Sequence, residues 1–517
     1  MTKTKITQIE TFSFERIPDA SRYARPTDVF RLLFGGCNTF STCVLGAFPI
    51  LMGLSLQAGL QAIAIGVLAG TCLLAPMSLF GARNGTSDPV SSGAHFGIHG
   101  RIIGSFLALL TSIAFFSLAV WSSGDALVGG AHEMIGIPVN ALSLSAAYLL
   151  FSALVLTVCI YGFRFMLWVN KIAVWSASLM FVIGLFAFAG SFDSTYAGWV
   201  QPGSASFKTA FITSILVAMS NPISFASTLG DWTRYVPDRT PGHRIMGAVF
   251  FAQAATFIPF LFGLATASII ATHAPAYIEA NDYVGGLLTI TPRWFLLPIC
   301  LLAFIGGLST GTTALYGSGI DVSSMLPRWF TRVSATVVIG LIAIGMIFIG
   351  RFAFNLASSI STFATLIGTF SCPWMLIMVL GYIARRGHYL ADDLQVFNLG
   401  LRGGHYWFFH GWNLRAMCAW IPASLIGLAC VNLPGEFVGP LGHIAGELDI
   451  SVPISLLLGG SLYLIFLNFF PEQDALYSPK GARLTRTTHT PEAGPAAQSA
   501  TTIPATQTHQ SASEFSS

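Results

Sequence analysis

The stretch from Ala218 to Pro237 reads AMSNPISFASTLGDWTRYVP, and it starts as a segment apolar enough to cross a lipid bilayer. Pro222 lacks a backbone donor and its ring clashes with the preceding turn, which predicts a break in the helix at this point. Within lipid, the freed backbone groups are costly unless protein or a water-lined cavity satisfies them. We therefore expect Pro222 to end the first half of a broken span, and Asn221 to face a cavity inside the membrane.

The composition is that of a polytopic α-helical membrane protein. Of the 517 residues, 54% are hydrophobic and 9% are charged, with a mean hydropathy of +0.69, whereas soluble domains are about 25% charged. Uncharged runs that can hold a span of about 20 residues recur along the chain. They predict about twelve membrane spans, at 30–55, 58–80, 103–129, 141–161, 168–190, 208–230, 246–271, 294–319, 333–350, 356–383, 416–433 and 450–470.

The basic residues predict the orientation of these spans. Of the 25 Lys and Arg residues, all but Lys208, Arg293 and Arg351 lie on one side of the membrane if successive spans alternate in direction. Basic loops face the cytoplasm, so both termini are expected to be cytoplasmic in a protein of the cell membrane. The net charge of +3 thus reports topology and not nucleic-acid binding, and the lipid bilayer is the expected partner of the apolar surface.

Spans 1 and 6 are interrupted at corresponding places in two halves of the chain. Span 1 carries Gly35-Gly36 followed by Cys37-Asn38-Thr39, and span 6 carries Asn221-Pro222. Paired interruptions in two inverted halves indicate a transporter binding site; the alternative is a glycine packing surface and a tolerated proline kink. The predicted division is a segment at 1–29, repeats at 30–190 and 208–383, a loop at 384–415, two further spans within 416–470 and a disordered tail at 471–517.

Span 8 is unusually rich in glycine and hydroxyl residues, and reads GGLSTGTT from Gly306 to Thr313. Ser309 and Thr310 are adjacent hydroxyls near a glycine carbonyl, and such oxygens are the ligands that hard cations prefer. Carbonyls of the broken span 1 would complete the shell. The alternative is that these hydroxyls bond back to their own helix.

The ionisable residues favour sodium over protons as a coupling ion. Asp125 is the only carboxylate well inside a predicted span, and the eleven histidines fall in loops, termini or span edges. Proton relays in membranes use buried Asp, Glu or His, which makes Asp125 the proton candidate unless it is an ordinary carboxylate at a helix end. The sequence lacks clustered catalytic side chains and the charged ring of a channel. We therefore predict a transporter with no catalytic residues and no cofactor.

Several segments in order resemble the nucleobase:cation symporter-1 family. They include ERIPDASRYARPTDVF from Glu15, GGCNTFS from Gly35, SNPISFASTLGDWTRYVPDRTP from Ser220 and LSTGTTALYGSG from Leu308. The resemblance implies an all-α fold with the five-plus-five inverted repeat of the leucine-transporter type and two extra helices. It also implies transport by alternating access.

The resemblance further implies two adjoining sites. In the family, carbonyls of span 1 and a small residue followed by adjacent hydroxyls in span 8 hold sodium, which implies Gly36, Thr39, Gly306, Ser309 and Thr310 here. Aromatic side chains of spans 3 and 6 enclose a flat substrate and polar groups read its edge, which implies Phe115, Asn221, Ser224, Phe225, Gly311 and Thr313. Trp121 is the alternative stacking residue. Asp231 and Arg234 are the candidate inner gate, unless this loop is only anchored by interfacial aromatic residues.

The ligand implied by this pattern is a small planar heterocycle. Gly311 and Thr313 stand where cytosine-transporting members of the family carry asparagines. The side-chain amides that usually hydrogen-bond to the edge of the substrate are therefore missing. Purines, pyrimidines, hydantoin or allantoin relatives and vitamin heterocycles stay open. The predicted function is import by sodium symport. Proton symport or uniport of the same ligands is the alternative, and a channel or a membrane enzyme is the alternative of another class.

Overall fold

The computed structural model describes residues 15–326, 328–353, 360–433 and 437–484. Within these residues the chain forms helices and one two-stranded antiparallel sheet, β1 (Asn432–Leu433) with β2 (Phe437–Val438), in which Asn432 faces Val438. The α-helices are α1 (Pro26–Cys37), α2 (Phe40–Leu51), α3 (Leu56–Asn84), α4 (Asp88–Phe96), α5 (Arg101–Ile135), α6 (Ala141–Tyr161), α7 (Phe163–Phe188), α8 (Ala205–Ser224), α9 (Leu229–Thr233), α10 (Gly242–Ala255), α11 (Phe257–His273), α12 (Pro275–Glu279), α13 (Tyr283–Ile290), α14 (Arg293–Met325), α15 (Arg332–Ala353), α16 (Ile360–Ala384), α17 (Leu414–Ala429) and α18 (Ser451–Phe469).

The described residues contain ten helical segments long and apolar enough to cross a membrane, with α8–α9 and α10–α11 each counted as one. The bent pair α1–α2 makes an eleventh span. Helix α17 is apolar, but its 16 residues cover about 24 Å at 1.5 Å per residue, less than the hydrocarbon core of about 30 Å. The polytopic all-α class is confirmed, and the twelfth crossing stays a prediction.

Span 1 is broken, as the sequence predicted. Helix α1 ends at Cys37, α2 begins at Phe40, and the two are bent by 57°. Thr39 is extended (φ −139°, ψ 164°), and its hydroxyl accepts a hydrogen bond from the Thr42 N–H at 3.4 Å. Thr39 thus caps α2, and the carbonyls at the end of α1 are left without the helical partners that a continuous span would give them.

Span 6 is interrupted two residues later than the sequence predicted. Pro222 does not end the helix: α8 continues to Ser224 and is followed by a turn at 225–228. The Phe225 N–H donates to Pro222 O at 3.2 Å, and the Ser224 hydroxyl donates to Asn221 O at 2.6 Å. The last turn of α8 therefore tightens, and a side chain satisfies the carbonyl that a regular helix would have paired with Phe225.

The packing of the helices follows the inverted repeat. Helix α3 of span 2 packs on α8 of span 6, and the equivalent contact in the other half joins α11 of span 7 to α2 of span 1. Both contacts are close: a Cβ at Gly70 would lie 2.4 Å from Pro222 Cγ, and a Cβ at Gly263 would lie 2.0 Å from Cys43 O. Spans 3 and 8, α5 and α14, pack on each other at the centre. This arrangement brings both interrupted spans to the middle of the bundle.

The predicted domain bounds stay predictions, with one difference at the tail. Its disorder was expected from 471 onward, yet Glu472 and Leu476 are buried. Arg385, just after α16, donates to both carboxylate oxygens of Glu472, at 2.7 and 2.6 Å. This ion pair holds the start of the tail against the bundle. Residues 485–517, the rest of the predicted tail, lie outside the described residues.

Candidate substrate and cation site

The adjacent hydroxyls of α14 lie against the break in span 1. Thr310 Oγ1 donates to Gly36 O at 2.9 Å. Gly306, one turn earlier on α14, lies beside the break itself, since a Cβ there would be 3.1 Å from Thr39 Cα. With Ser309 next to Thr310, the structure brings together the residues that the sequence predicted as the cation site.

Ser309 has two oxygen neighbours. Its hydroxyl lies 2.6 Å from Gly35 O and 2.5 Å from Asn170 Oδ1 of α7. Ser309 and Asn170 are both fully buried. The sequence had not singled out Asn170, because a lone asparagine in an apolar span usually bonds within its own helix.

The oxygen atoms gathered here belong to neutral groups, two hydroxyls and the peptide carbonyls beside the break. Oxygen donors of this kind suit a hard cation. A neutral shell leaves the full charge of the ion uncompensated, which favours a monovalent ion over a divalent one in a buried site. The residues present therefore fit Na⁺.

A small central cavity of about 20 Å³ adjoins this cluster. Its wall is formed by α1–α2, α5, the end of α8 and α14. The predicted substrate residues on this wall are Phe115, Asn221, Ser224, Phe225 and Thr313, and the predicted cation residues on it are Gly36, Thr39 and Thr310. The two predicted sites therefore share one wall.

Asn221 joins the two segments of span 1 across this cavity. Its Oδ1 accepts from the Cys37 thiol at 3.3 Å, and its Nδ2 lies 3.4 Å from Thr42 Oγ1. Thr42 Oγ1 in turn donates to Cys37 O at 2.5 Å. The amide predicted to read the substrate thus also holds α1 and α2 in their bent arrangement.

The central cavity is too small for a heterocycle with the lining side chains in their present positions. A volume of about 20 Å³ suffices for about one water molecule, whereas pockets for drug-sized ligands measure about 300–1,000 Å³. The ring of Phe225 fills part of the space, since a Cβ at Gly36 would lie 3.3 Å from its Cε1. A heterocycle would enter only after the aromatic side chains move.

A second cavity of about 650 Å³ lies on the side of α5 where that helix ends. It is lined by Trp121 and Asp125, which places both away from the central cavity. The Tyr148 hydroxyl donates a hydrogen bond to Asp125 Oδ1. Ser41 on the central wall and Ser122 on the outer wall are 3.0 Å apart at their hydroxyl oxygens. This hydrogen bond is part of the thin barrier between the two cavities.

The opposite end of the bundle is tightly packed. Asp231 and Arg234, the candidate gate residues, are fully buried there. Asp88 of α4 accepts from the Gly230 N–H at 2.7 Å, and a Cβ at Gly317 would lie 2.9 Å from Asp231 Oδ2. Burial raises the pKa of the Asp88 carboxyl well above its usual range, although the Gly230 N–H opposes this. Helix α9 is thus enclosed between α4 and α14.

Three positions differ from what the sequence suggested. Gly311 faces α6, since a Cβ there would lie 3.0 Å from Val155 Cγ2, and it does not line the central cavity. Thr111 and Ser112 of α5 do line this cavity and were missed. The Ser112 hydroxyl oxygen is buried and has no hydrogen-bond partner among the described residues. The signal was available, because Ser112 lies three residues before Phe115, on the same face of a helix.

Comparison with known proteins shows the family of this chain. Residues 16–451 match the family of permeases for cytosine and purines, uracil, thiamine and allantoin. This chain belongs to that permease family. The permease is 23% identical over 482 residues, 92% of its own length and 99% of the relative's, to a putative purine-cytosine permease YxlA of Bacillus subtilis (strain 168). It is also 23% identical over 440 residues, 80% of its own length and 84% of the relative's, to an allantoin permease of the same organism.

Solved structures show the same fold. The permease matches Mhp1, a nucleobase-cation-symport-1 family transporter in a closed conformation with bromovinylhydantoin bound, with a TM-score of 0.68 and 18% identity, over 92% of this chain and 98% of that one. A Na⁺-coupled sialic acid symporter in a substrate-bound outward-open state matches with a TM-score of 0.55 and 13% identity, over 88% of this chain and 92% of that one. These structures show the leucine-transporter fold, and the family match shows that the permease is a multi-pass membrane transporter and not an enzyme.

Proposed function

We propose that the permease imports a planar nucleobase-like heterocycle together with Na⁺ by alternating access. The observation that carries this proposal is the shared wall of the two sites. The Gly36 carbonyl accepts from Thr310 in the cation cluster, and the same two residues line the central cavity beside Phe115 and Phe225.

This shared wall gives a physical route for coupling. A cation bound by the carbonyls of span 1 and the hydroxyls of α14 would fix the break at Thr39 and the position of Gly36. The same residues form the surface on which the heterocycle rests. Each ligand would then lower the free energy of binding of the other, and such coupling is reciprocal.

The cavity chemistry supports a flat ligand with hydrogen-bonding edges. Phe115 and Phe225 offer aromatic faces, and stacking of a base on an aromatic side chain is worth about 1–3 kcal/mol. Ser112 contributes a buried hydroxyl that has no partner within the described part of the chain, and Asn221 contributes an amide. A hydroxyl both donates and accepts, so this edge suits purine, pyrimidine, hydantoin, allantoin and vitamin rings alike.

The proposed topology determines which end of the bundle faces the cytoplasm. With both termini in the cytoplasm of a cell-membrane protein, the packed end at Asp231 and Arg234 faces the cytoplasm, and the cavity of about 650 Å³ faces the outside. The structure then corresponds to a state closed toward the cytoplasm, with the substrate vestibule at Trp121 open. Asp231 and Arg234 lie where an inner gate would have to part.

The experiment that tests this proposal is uptake into liposomes that contain the purified permease. Radiolabelled cytosine, adenine, uracil, thiamine and allantoin are offered in turn under an inward sodium gradient, with choline as the control cation. We expect uptake of at least one ring to be stimulated by sodium, and Thr310→Val to abolish the stimulation. Thr312→Val is the matched control, because the Thr312 hydroxyl bonds to its own helix at Ser309 O, 3.0 Å away.

The second candidate is proton symport, and Asp125 is the observation that favours it. Asp125 lines the outer cavity and accepts a hydrogen bond from Tyr148. Proton coupling would be established by uptake that is independent of sodium, is driven by a pH gradient and is abolished in Asp125→Asn. Uptake that ignores both gradients would establish a uniporter.

A further inference from the structure

Asn170 of α7 is held in one orientation beside the cation cluster. Its Nδ2 donates to Met166 O at 3.0 Å, and its Oδ1 lies 2.5 Å from Ser309 Oγ. Only the nitrogen of the amide can donate to a carbonyl, so the contact with Met166 directs the Oδ1 acceptor toward α14. The side chain is fully buried.

Glycine at position 35 makes this approach possible. A Cβ at Gly35 would lie 2.5 Å from Asn170 Oδ1, which is closer than real Cβ contacts permit. Any side chain at this position would push the amide away from Ser309. The glycine pair of span 1 therefore serves the contact with α7 as well as the break.

Ser309 has one hydroxyl proton and two acceptors, Gly35 O at 2.6 Å and Asn170 Oδ1 at 2.5 Å. A hydroxyl that binds a cation presents a lone pair to the ion, so its proton must point away from the ion. Gly35 O is the carbonyl next to Gly36, on the side of the break where the ion would sit. Asn170 Oδ1 belongs to a different helix, outside the span 1 and span 8 residues of the predicted cation shell.

We propose that Asn170 is a positioning residue for the coupling cation. Its Oδ1 accepts the Ser309 proton, so that the Ser309 oxygen is turned toward the ion. The inference rests on the proposed sodium coupling and adds a third helix, α7, to the groups that set sodium affinity. Since α7 also packs on α1, the contact would tie cation binding to the position of span 5 as well as span 1.

The test is thermal unfolding of the purified permease at increasing NaCl, with choline chloride keeping the ionic strength constant. Binding to the folded state raises the melting temperature by mass action. We expect Asn170→Ala to raise the half-maximal sodium concentration by roughly 10- to 100-fold, the usual effect of removing a residue that orients a metal ligand. Asn170→Asp keeps an acceptor oxygen and adds a negative charge near the cation, so its half-maximal sodium concentration should not rise above that of wild type.

Two variants complete this experiment. Asn84→Ala removes another buried amide, which donates to Ser91 Oγ at 3.1 Å at the end of α3, and should leave the half-maximal sodium concentration unchanged. Gly35→Ala keeps every polar group and displaces the Asn170 amide, so it should weaken sodium binding as Asn170→Ala does. Gly35→Ala therefore tests the positioning role even if Asn170→Ala fails to fold.

The outcomes separate this inference from the proposed function. An unchanged half-maximal sodium concentration in Asn170→Ala, or equal losses in Asn170→Ala and Asn170→Asp, would overturn the positioning role. If the melting temperature of the wild-type permease does not change with sodium concentration, the proposed sodium coupling itself is overturned. Sodium-stimulated uptake by the same variants, measured in liposomes, should shift in sodium dependence by the same factor.

Discussion

Phe115 and Trp121 are the two aromatic residues of α5 between which the sequence left the stacking role open. The structure places Phe115 on the central cavity and Trp121 on the outer one. Trp121 follows Phe115 by six positions, which correspond to about 9 Å along a helix at 1.5 Å per residue. At the scale of single residues, Phe115 is therefore the stacking partner expected for a ligand that also contacts Asn221.

We expect Phe115→Ala to weaken heterocycle binding much more than Trp121→Ala does. Loss of an aromatic stack worth about 1–3 kcal/mol corresponds to roughly 5- to 150-fold in the dissociation constant. The measurement is the ligand concentration that half-maximally raises the melting temperature, at saturating sodium. A larger loss in Trp121→Ala would assign binding to the outer cavity.

Some residues of the site could be predicted from the sequence, and others depend on how the helices pack. Ser309 and Thr310 could be predicted because adjacent hydroxyls in an apolar span are unusual. Gly311 was predicted to contact the substrate, but the face of α14 on which it lies depends on the rotation of that helix, and in the structure it faces Val155 of α6. Asn170 was missed because a lone asparagine in an apolar span usually bonds within its own helix, and only the packing of α7 on α1 and α14 brings its amide to Ser309.

At the scale of elements, the two interrupted spans are unequal. Span 1 bends by 57° between α1 and α2, whereas α8–α9 counts as one span with a turn at 225–228. Glycine, asparagine and threonine, which are weak helix formers, made the break in span 1 predictable. The position of the break in span 6 was not, because the Ser224 hydroxyl and tightened hydrogen bonds let the helix pass Pro222.

Pro222→Ala tests which feature of span 6 matters. The proline ring packs on Gly70 of α3, and the interruption at 225–228 lies beyond it. We therefore expect Pro222→Ala to retain sodium-stimulated uptake with a small loss of stability, whereas Asn221→Leu, which removes the contacts to Cys37 and Thr42, should lose uptake. Uptake abolished by Pro222→Ala would show that the proline itself creates the site.

At the scale of the whole molecule, a buried ion pair joins the start of the tail to the transport core. Arg385 and Glu472 have side-chain exposures of 0% and 1%. Burial alone would lower the pKa of the Arg385 guanidinium, but the facing Glu472 carboxylate outweighs this and holds that pKa above its usual value. Asn413, which precedes α17, lies 3.4 Å from the same carboxylate, so the pair also anchors the accessory helices.

Breaking this pair should destabilise the permease. Removal of one partner of a buried ion pair costs about 3–5 kcal/mol, so Glu472→Gln should lower the melting temperature clearly. Asp392→Asn is the control, because its pair with Arg16 is 3.4 Å long and the Asp392 side chain is 98% exposed, and exposed pairs contribute about 0–1 kcal/mol. Equal melting temperatures for both variants would contradict the anchoring role.

Some features of the whole molecule could be predicted from the sequence, and others could not. Most span positions could be predicted, because runs of apolar residues are local properties of the sequence, whereas the five-plus-five inverted repeat was implied by the resemblance to the family. The closure of the central cavity to about 20 Å³ beside an outer cavity of about 650 Å³ could not be predicted. That difference depends on how the helices tilt against one another, which no local pattern encodes.

The most direct test of the account is the affinity of the purified permease for its heterocycle as sodium is varied. The ligand is the ring from the uptake panel that is transported best, and its dissociation constant is measured by equilibrium binding at constant ionic strength. The account predicts that affinity rises with sodium and reaches a plateau, and that Thr310→Val removes this dependence. An affinity that is the same with sodium as with choline would contradict the shared wall as the basis of coupling.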